Sequence, residues 1–294
     1  MRLSQAIEQF TTYLQANRRS PHTISCYRRD LDGLVRFAGD VDIDALTPDL
    51  LHGFVVSDAV QLKPDGTARA EITVNRTKAA LRSFGRWLEQ NRHVDGNPAA
   101  TLEIRRTTRQ SPSTISDPER KRMLREVGAR KGEAAARDRV MLELLLGTGI
   151  RLAELVGLDI GNVDLDNKRI TIRAKGGDTE TRFLNADLRR RLRRYVRERN
   201  LVMAESPALF LSNRGTRISA RQIQTRFKLW LVWAGISRGG LSPHSLRHTF
   251  GTRLYRRTRD LLLVGRALGH RTVEASAIYV HTDDEALEEA LESL

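Results

Sequence analysis

The side chains Arg151, Lys175, His244, Arg247, His270 and Tyr279 are of the kinds that can break a phosphodiester without a metal. Arg151 stands in Thr148-Gly149-Ile150-Arg151-Leu152-Ala153-Glu154-Leu155, at a loop-to-helix junction. His244 and Arg247, in Pro243-His244-Ser245-Leu246-Arg247-His248-Thr249-Phe250, are three apart and so share one helix face. His270 follows Gly269, which reads as a helix end, and Lys175 sits on a hairpin turn. Guanidinium, ammonium and imidazole donors can neutralise the charge on the equatorial oxygens of a phosphoryl transition state. Such a site needs a nucleophile, and Tyr279 lies shortly after His270.

Other chemistries lack their residues. No GxxxxGK[ST] loop is present for ATP, and no carboxylate cluster is placed to hold two metal ions. Asp164 with Asp166, and Asp283 with Asp284, fall by turns or in a tail. His244 and His248 are one helical turn apart, but Arg247 between them would repel a dication. The expectation is no cofactor and no metal. Each residue also has a plainer reading taken singly. Arg151 could be a surface arginine at a helix end, His270 a helix-end histidine, Tyr279 a core tyrosine and Lys175 an ordinary turn lysine, with Lys168 its nearby competitor. Glu154 suits a structural role holding Arg151, and His248 also reads as structural.

The formal net charge of +14 over 294 residues points to a polyanionic partner. Arginine outnumbers lysine, and arginine makes forked contacts to phosphate. Hydrophobic residues are 40% of the chain, enough for a buried core. The one cysteine, Cys26, excludes an internal disulfide framework and reads as a packing residue. No apolar run is long enough to span a bilayer, and the N-terminus lacks the apolar core of a signal peptide. The expected location is the cytoplasm.

The elements that must position these residues are mostly helical. Helices are expected over residues 2–17, from Ser20-Pro21, from Thr47-Pro48 and through Ile72 to Leu88. Gly96-Asn97-Pro98 breaks the pattern, and the basic stretch that follows reads as a linker. Ser116-Asp117-Pro118-Glu119 is a helix-start signature, with helices expected over about 117–130 and 134–148. A β-hairpin is expected over 168–184, a basic helix over 188–199, a short strand over 208–211 and helices thereafter. The expected fold is mainly α with a small β-sheet. It comprises an all-α domain over 1–95, a linker over 96–115 and an α+β domain over 116–294 that ends in a tail helix.

Taken in order, these strings resemble the tyrosine recombinases, specifically the compact Xer and phage-integrase-like branch. The TGxR-xxEL pattern stands at Thr148 to Leu155, HxLRHTF at His244 to Phe250, LGH at Leu268-Gly269-His270, and the nucleophile string at Ile278-Tyr279-Val280-His281. The resemblance implies that Arg151 and Arg247 clamp the scissile phosphate and that His270 bonds a non-bridging oxygen. His244 would assist proton transfer, Lys175 would act as general acid and Tyr279 would form a 3′-phosphotyrosyl intermediate. It also implies a core-DNA-binding N-terminal domain and a catalytic C-terminal domain that close on double-stranded DNA. Arg28, Arg29, Arg76, Lys78, Arg82 and the linker arginines Arg105, Arg106 and Arg109 are the candidate phosphate contacts. A homo-oligomer on DNA is implied, a tetrameric synapse with tail helices exchanged between subunits, open to a second recombinase or accessory protein. Two departures stand out: Arg259 precedes Asp260 where a glycine is expected, and Gly265 replaces a common glutamine. A type IB-like topoisomerase, or a DNA-binding protein without catalysis, would share much of this pattern.

Overall fold

Helix starts carry their own caps in this chain, and the caps fix most boundaries. Ser20 accepts a hydrogen bond from the Thr23 amide and Pro21 takes the first position of α2 (Pro21–Ala38). Thr47 caps α3 (Pro48–Val56) in the same way. Ser116 and Glu119 form a reciprocal capping box on α6 (Asp117–Ala129). The computed structural model describes residues 1–105, 113–173, 178–202, 205–270 and 272–280. The linker centre, Lys175 and the tail from His281 onward lie outside the described residues.

The chain divides into two compact units, Met1–Arg109 and Gln110–Leu294. The first is all-helical: α1 (Leu3–Ala16), α2, α3, the single turn α4 (Asp58–Gln61) and α5 (Glu71–Gln90). Leu3, Ile7, Phe10, Leu31, Leu34, Phe54, Leu81 and Leu88 make its core, and the Phe10 ring meets Phe84 edge-on at 5.4 Å. Arg76 forks onto buried Asp30 at 2.9 and 2.8 Å. It was expected at DNA phosphates, but its guanidinium is engaged inside the unit. Lys78 and Arg82 likewise donate to the carbonyls of Glu103 and Leu102.

The second unit packs α6, α7 (Glu133–Thr148), α8 (Leu152–Val156), α9 (Ala186–Asn200), α10 (Ala220–Trp233), α11 (Pro243–Thr258) and α12 (Leu261–Leu268) beside a three-stranded antiparallel sheet. Its strands are β1 (Val163–Asp164), β2 (Arg169–Arg173) and β3 (Thr179–Phe183). Ile170 pairs with Arg182 and Ile172 with Glu180 across the hairpin. Ile170 and Ile172 face a core that includes Met141, Leu145, Leu192, Phe227 and Trp230. Among the described residues no helix is long and apolar enough to cross a membrane.

The strand expected over 208–211 does not form; only the single bridges Asp159↔Ala208 and Leu211↔Arg217 touch it. The run is apolar because it is buried, but its backbone is satisfied piecemeal: the Leu209 amide donates to the Leu158 carbonyl, and the Ile218 amide donates to the Phe210 carbonyl. Arg199 donates to the carbonyls of Ser206 and Ala208, and the Tyr195 hydroxyl donates to Leu209.

Arg259 explains itself. It ends α11 in the left-handed conformation, with φ +54°, where a glycine has no steric penalty. Its guanidinium lies 5.9 Å from the Tyr255 ring centre. Glycine would relieve about 1 kcal/mol of backbone strain there but forfeit the arginine's contacts, the one to Tyr255 among them.

Candidate active site

Two left-handed glycines place the site. Gly149 ends α7 at φ +61°, and a Cβ there would lie 2.5 Å from the Phe250 ring and 2.6 Å from Leu268. The next residues turn sharply into α8, with Arg151 as its N-cap. The Arg151 amide donates to Glu154 Oε2 at 2.8 Å, and its Nη1 to Oε1 at 2.5 Å. Glu154 therefore fixes both backbone and guanidinium, while Nη2 reaches the Gly269 carbonyl at 3.2 Å. Gly269 ends α12 at φ +64° and sets the direction of His270.

α11 starts at Pro243 and turns Arg247 inward, where it is only 3% exposed. Its Nη1 donates to the Gly149 carbonyl and its Nη2 to the Leu268 carbonyl, both at 2.6 Å. These are helix-end carbonyls of α7 and α12 that have no partner within their own helices. One guanidinium thus ties both helix ends together.

Tyr279 is 1% exposed, in a 3₁₀ turn over Ala277–Tyr279. Its ring fills the space left by Gly251 on α11, where a Cβ would lie 2.5 Å from Cζ. The His270 ring lies parallel to it, 6.2 Å away at 6°. His270 is held through Nδ1, 2.8 Å from Ser276 Oγ. The hydroxyl of Tyr279 meets His248 Nδ1 at 3.4 Å, and His248 in turn packs edge-to-face on His244 at 4.6 Å. His248, read from sequence as structural, thus places an imidazole against the tyrosine oxygen.

The fold brings Arg151, His244, Arg247, His270 and Tyr279 to one place. Lys175 falls outside the described residues. Its competitor Lys168 is exposed at the opposite end of β2, before Arg169. Sequence reasoning passed over Arg182, Glu180 and Gly251. Arg182 is 4% exposed, and its Nη2 donates to Glu180 Oε2 at 2.6 Å and to the Leu268 carbonyl at 3.3 Å. The available signal was period-two alternation: Arg182 stands opposite inward-facing Ile170. Among the described residues no group of three or more His, Cys, Asp or Glu could hold a metal ion.

Burial, followed by the nearby Arg151, lowers the Arg247 pKa to about 10, so it remains charged at neutral pH. His248 and His270 are both pushed down to about 4, first by burial and then by neighbouring histidine and arginine groups. His244 is lowered by burial, Arg247 and Arg151. Burial raises Tyr279. At neutral pH the imidazoles are therefore uncharged and the phenol is protonated.

A stability prediction follows from His248 and His270. An unfolded histidine titrates near 6.5. Between about pH 4 and 6.5 the unfolded chain binds more protons, so stability rises with pH through that window. The contribution is complete above 6.5 and is lost as pH falls towards 4. Melting at pH 7 and pH 5 should show the lower temperature at pH 5, with a smaller difference in His270→Asn. An unchanged difference in that variant would exclude His270 as a source.

Comparison with known proteins agrees with this geometry. Residues 114–286 match the Phage integrase family, and residues 7–92 match its N-terminal SAM-like domain. Tyrosine recombinase XerC of Salmonella typhi is 33% identical over 282 residues, covering 96% of this chain and 92% of that protein. XerC of Escherichia coli O127:H6 is 32% identical over 281 residues, covering 94% and 91%. Among solved structures, XerA recombinase is 25% identical with a TM-score of 0.57, covering 99% of this chain and 98% of that one. XerH bound to a palindromic difH substrate is 23% identical with a TM-score of 0.77, covering 98% and 84%, and shares the fold. The chain therefore belongs to the phage integrase family of tyrosine recombinases, enzymes that cleave and rejoin DNA through a tyrosine intermediate.

Proposed function

We propose that this chain is a site-specific recombinase whose catalytic residues are Arg151, Lys175, His244, Arg247, His270 and Tyr279. The observation that carries the reading is the convergence of Arg151 and Arg247 on the turn at 268–269, which also sets His270 parallel to Tyr279. Arg151 and Arg247 bind the scissile phosphate, and His270 donates to a non-bridging oxygen. The Tyr279 oxygen attacks phosphorus as its proton passes to His244, with His248 in contact with both. The new bond is Tyr279 O–P, and the bond broken is from phosphorus to the 5′ oxygen. Lys175 gives that oxygen its proton. A 5′-hydroxyl of another strand then reverses the step and regenerates the phenol. The phosphotyrosine conserves the bond energy, so no nucleotide is consumed.

Double-stranded DNA is the substrate. Support comes from XerH, solved with its difH substrate, and lambda integrase, solved as a tetramer on a Holliday junction. On that precedent the working unit is a homo-oligomer on DNA, a tetrameric synapse. The acidic segment 283–294, with Leu287, Leu291 and Leu294 on one stripe, would be exchanged between subunits as a tail helix. A second recombinase or an accessory protein fits the same assembly, and the cytoplasm is its place of action. An all-α core-DNA-binding domain over 1–95, a linker over 96–115 and a catalytic domain over 116–294 divide the labour.

Covalent trapping tests the reading. The protein is incubated with nicked genomic fragments in excess chelator and without nucleotide, then run on a denaturing gel. A slow-migrating adduct whose labelled peptide contains Tyr279 is the expected result. Tight, salt-sensitive DNA binding with no adduct under any nicking pattern would overturn it.

A further inference from the structure

Ser276 does not use its hydroxyl where a serine at a helix start usually does. It is 0% exposed and opens the 3₁₀ turn over Ala277–Tyr279, yet its side chain caps none of that turn's amides. The hydroxyl instead meets His270 Nδ1 at 2.8 Å, its one hydrogen-bond partner among the described residues. Backbone bonds bracket this contact. The Tyr279 amide donates to the Ser276 carbonyl at 3.0 Å, and the His270 amide donates to the Gly265 carbonyl at 2.9 Å. Gly265 also leaves room for the hydroxyl, since a Cβ there would lie 3.0 Å from Ser276 Oγ.

His270 needs such a partner because its ring is uncharged at neutral pH, where burial, then Arg247 and Arg151, hold its pKa down to about 4. A neutral imidazole carries one N–H and donates from that nitrogen alone. With the proton on Nδ1, Nε2 would present a lone pair to an anionic phosphate. Arg151 and Arg247 hold the carbonyls of Gly269 and Leu268, which fixes the backbone before His270 but not the proton on its ring. We infer that Ser276 is a positioning residue: its hydroxyl donates to His270 Nδ1, keeps the proton on Nε2 and so directs that N–H to the non-bridging oxygen. This rests on the assignment of His270 as donor to that oxygen. The same serine opens the turn that ends in Tyr279, so one residue sets both the donor and the nucleophile, whose rings lie parallel at 6.2 Å.

The ring nitrogens give a readout that a merely structural role would not move. Nitrogen-15 spectra of the full chain, labelled at histidine, report which nitrogen carries the proton, and the signals of His270 are those lost in His270→Phe. Wild type at neutral pH should show the Nε2–H form alone, and Ser276→Ala a mixture with the Nδ1–H form. Rates come from single-turnover cleavage of a suicide duplex bearing the site mapped from trapped adducts. Ser276→Ala is expected to cleave about 10-fold more slowly with DNA affinity unchanged, short of the about 10²-fold cost of losing the donor itself. Ser276→Thr, which keeps the hydroxyl, should recover both the Nε2–H form and the rate. Ser276→Ala added to His270→Phe should slow cleavage no further, because the serine acts through the histidine. A wild-type His270 protonated on Nδ1 or on both nitrogens would overturn the inference. So would a Ser276→Ala variant with an unchanged ring or an unchanged rate, or a double variant slower than His270→Phe. In those cases the role of His270 stands if His270→Phe is itself slow. Wild-type cleavage by His270→Phe would remove that role and this inference with it.

Discussion

Tyr279→Phe is expected to remove the protein–DNA adduct completely while leaving DNA affinity and fold in place. The phenol oxygen is the proposed nucleophile, and phenylalanine keeps the ring that fills the slot beside Gly251. The ring is 1% exposed and parallel to His270, so its packing does not depend on the hydroxyl. What is lost structurally includes a long, 3.4 Å contact to His248, worth at most about 1 kcal/mol. Denaturing gels report the adduct, and gel shift reports affinity. An adduct that persists in Tyr279→Phe would put the nucleophile on another tyrosine. Loss of DNA binding together with the adduct would mean that the ring, not the oxygen, was the essential part.

Arg247→Met should be the most damaging change that leaves the tyrosine intact, because Arg247 does two jobs at once. Its two 2.6 Å hydrogen bonds hold the ends of α7 and α12 together, and its own side chain is almost fully buried. Methionine fills the volume but leaves the Gly149 carbonyl buried and without its donor, and the Leu268 carbonyl with only the longer bond from Arg182. A loss of about 3 kcal/mol in stability is expected, read as a lower urea midpoint. Cleavage should fall by about 10²–10³-fold, as when a preorganised donor to transition-state charge is removed. Arg247→Lys separates the two jobs. An ammonium keeps the charge but cannot span two carbonyls and a phosphate oxygen as a planar fork does. It should recover part of the stability and little of the rate. Full activity in Arg247→Lys would show that charge alone suffices.

The parts of this molecule that were legible in advance are those governed by local chemistry. Ser20-Pro21, Thr47-Pro48 and Ser116 through Glu119 announce helix starts because the cap and the helix are adjacent in sequence. Arg151, His244, Arg247, His270 and Tyr279 were visible because each sits in a short string with its own conformational logic, such as Gly269 before His270. The misread parts depend on partners distant in sequence. Residues 208–211 look like a strand until their backbone bonds are seen to go singly to Leu158, Ile218, Arg199 and Tyr195. Arg76 looks like a surface cation until Asp30, on another helix, is seen to hold it. Arg182 looks like one more exposed arginine of a basic hairpin until its register with Ile170 turns it inward. His248 reads as structural in sequence because only the packing of α11 against the Tyr279 turn shows its contact with the hydroxyl.

Arg247 is answered in the described site only by neutral carbonyls, while Glu154 and Glu180 serve Arg151 and Arg182. Two carboxylates thus face three guanidiniums, and an anion at this place lowers the free energy of the folded state whatever its source. In the laboratory this makes the buffer a ligand. Sulfate or phosphate should raise the melting temperature over chloride at equal ionic strength, by RT ln(1 + [L]/Kd), or about 2.7 kcal/mol at a hundredfold excess over Kd. The same salts should compete with DNA, so the conditions that best preserve the protein in storage are those that slow it in an assay. Arg247→Met should shrink the difference between the salts to the general stabilisation that sulfate and phosphate give any folded chain.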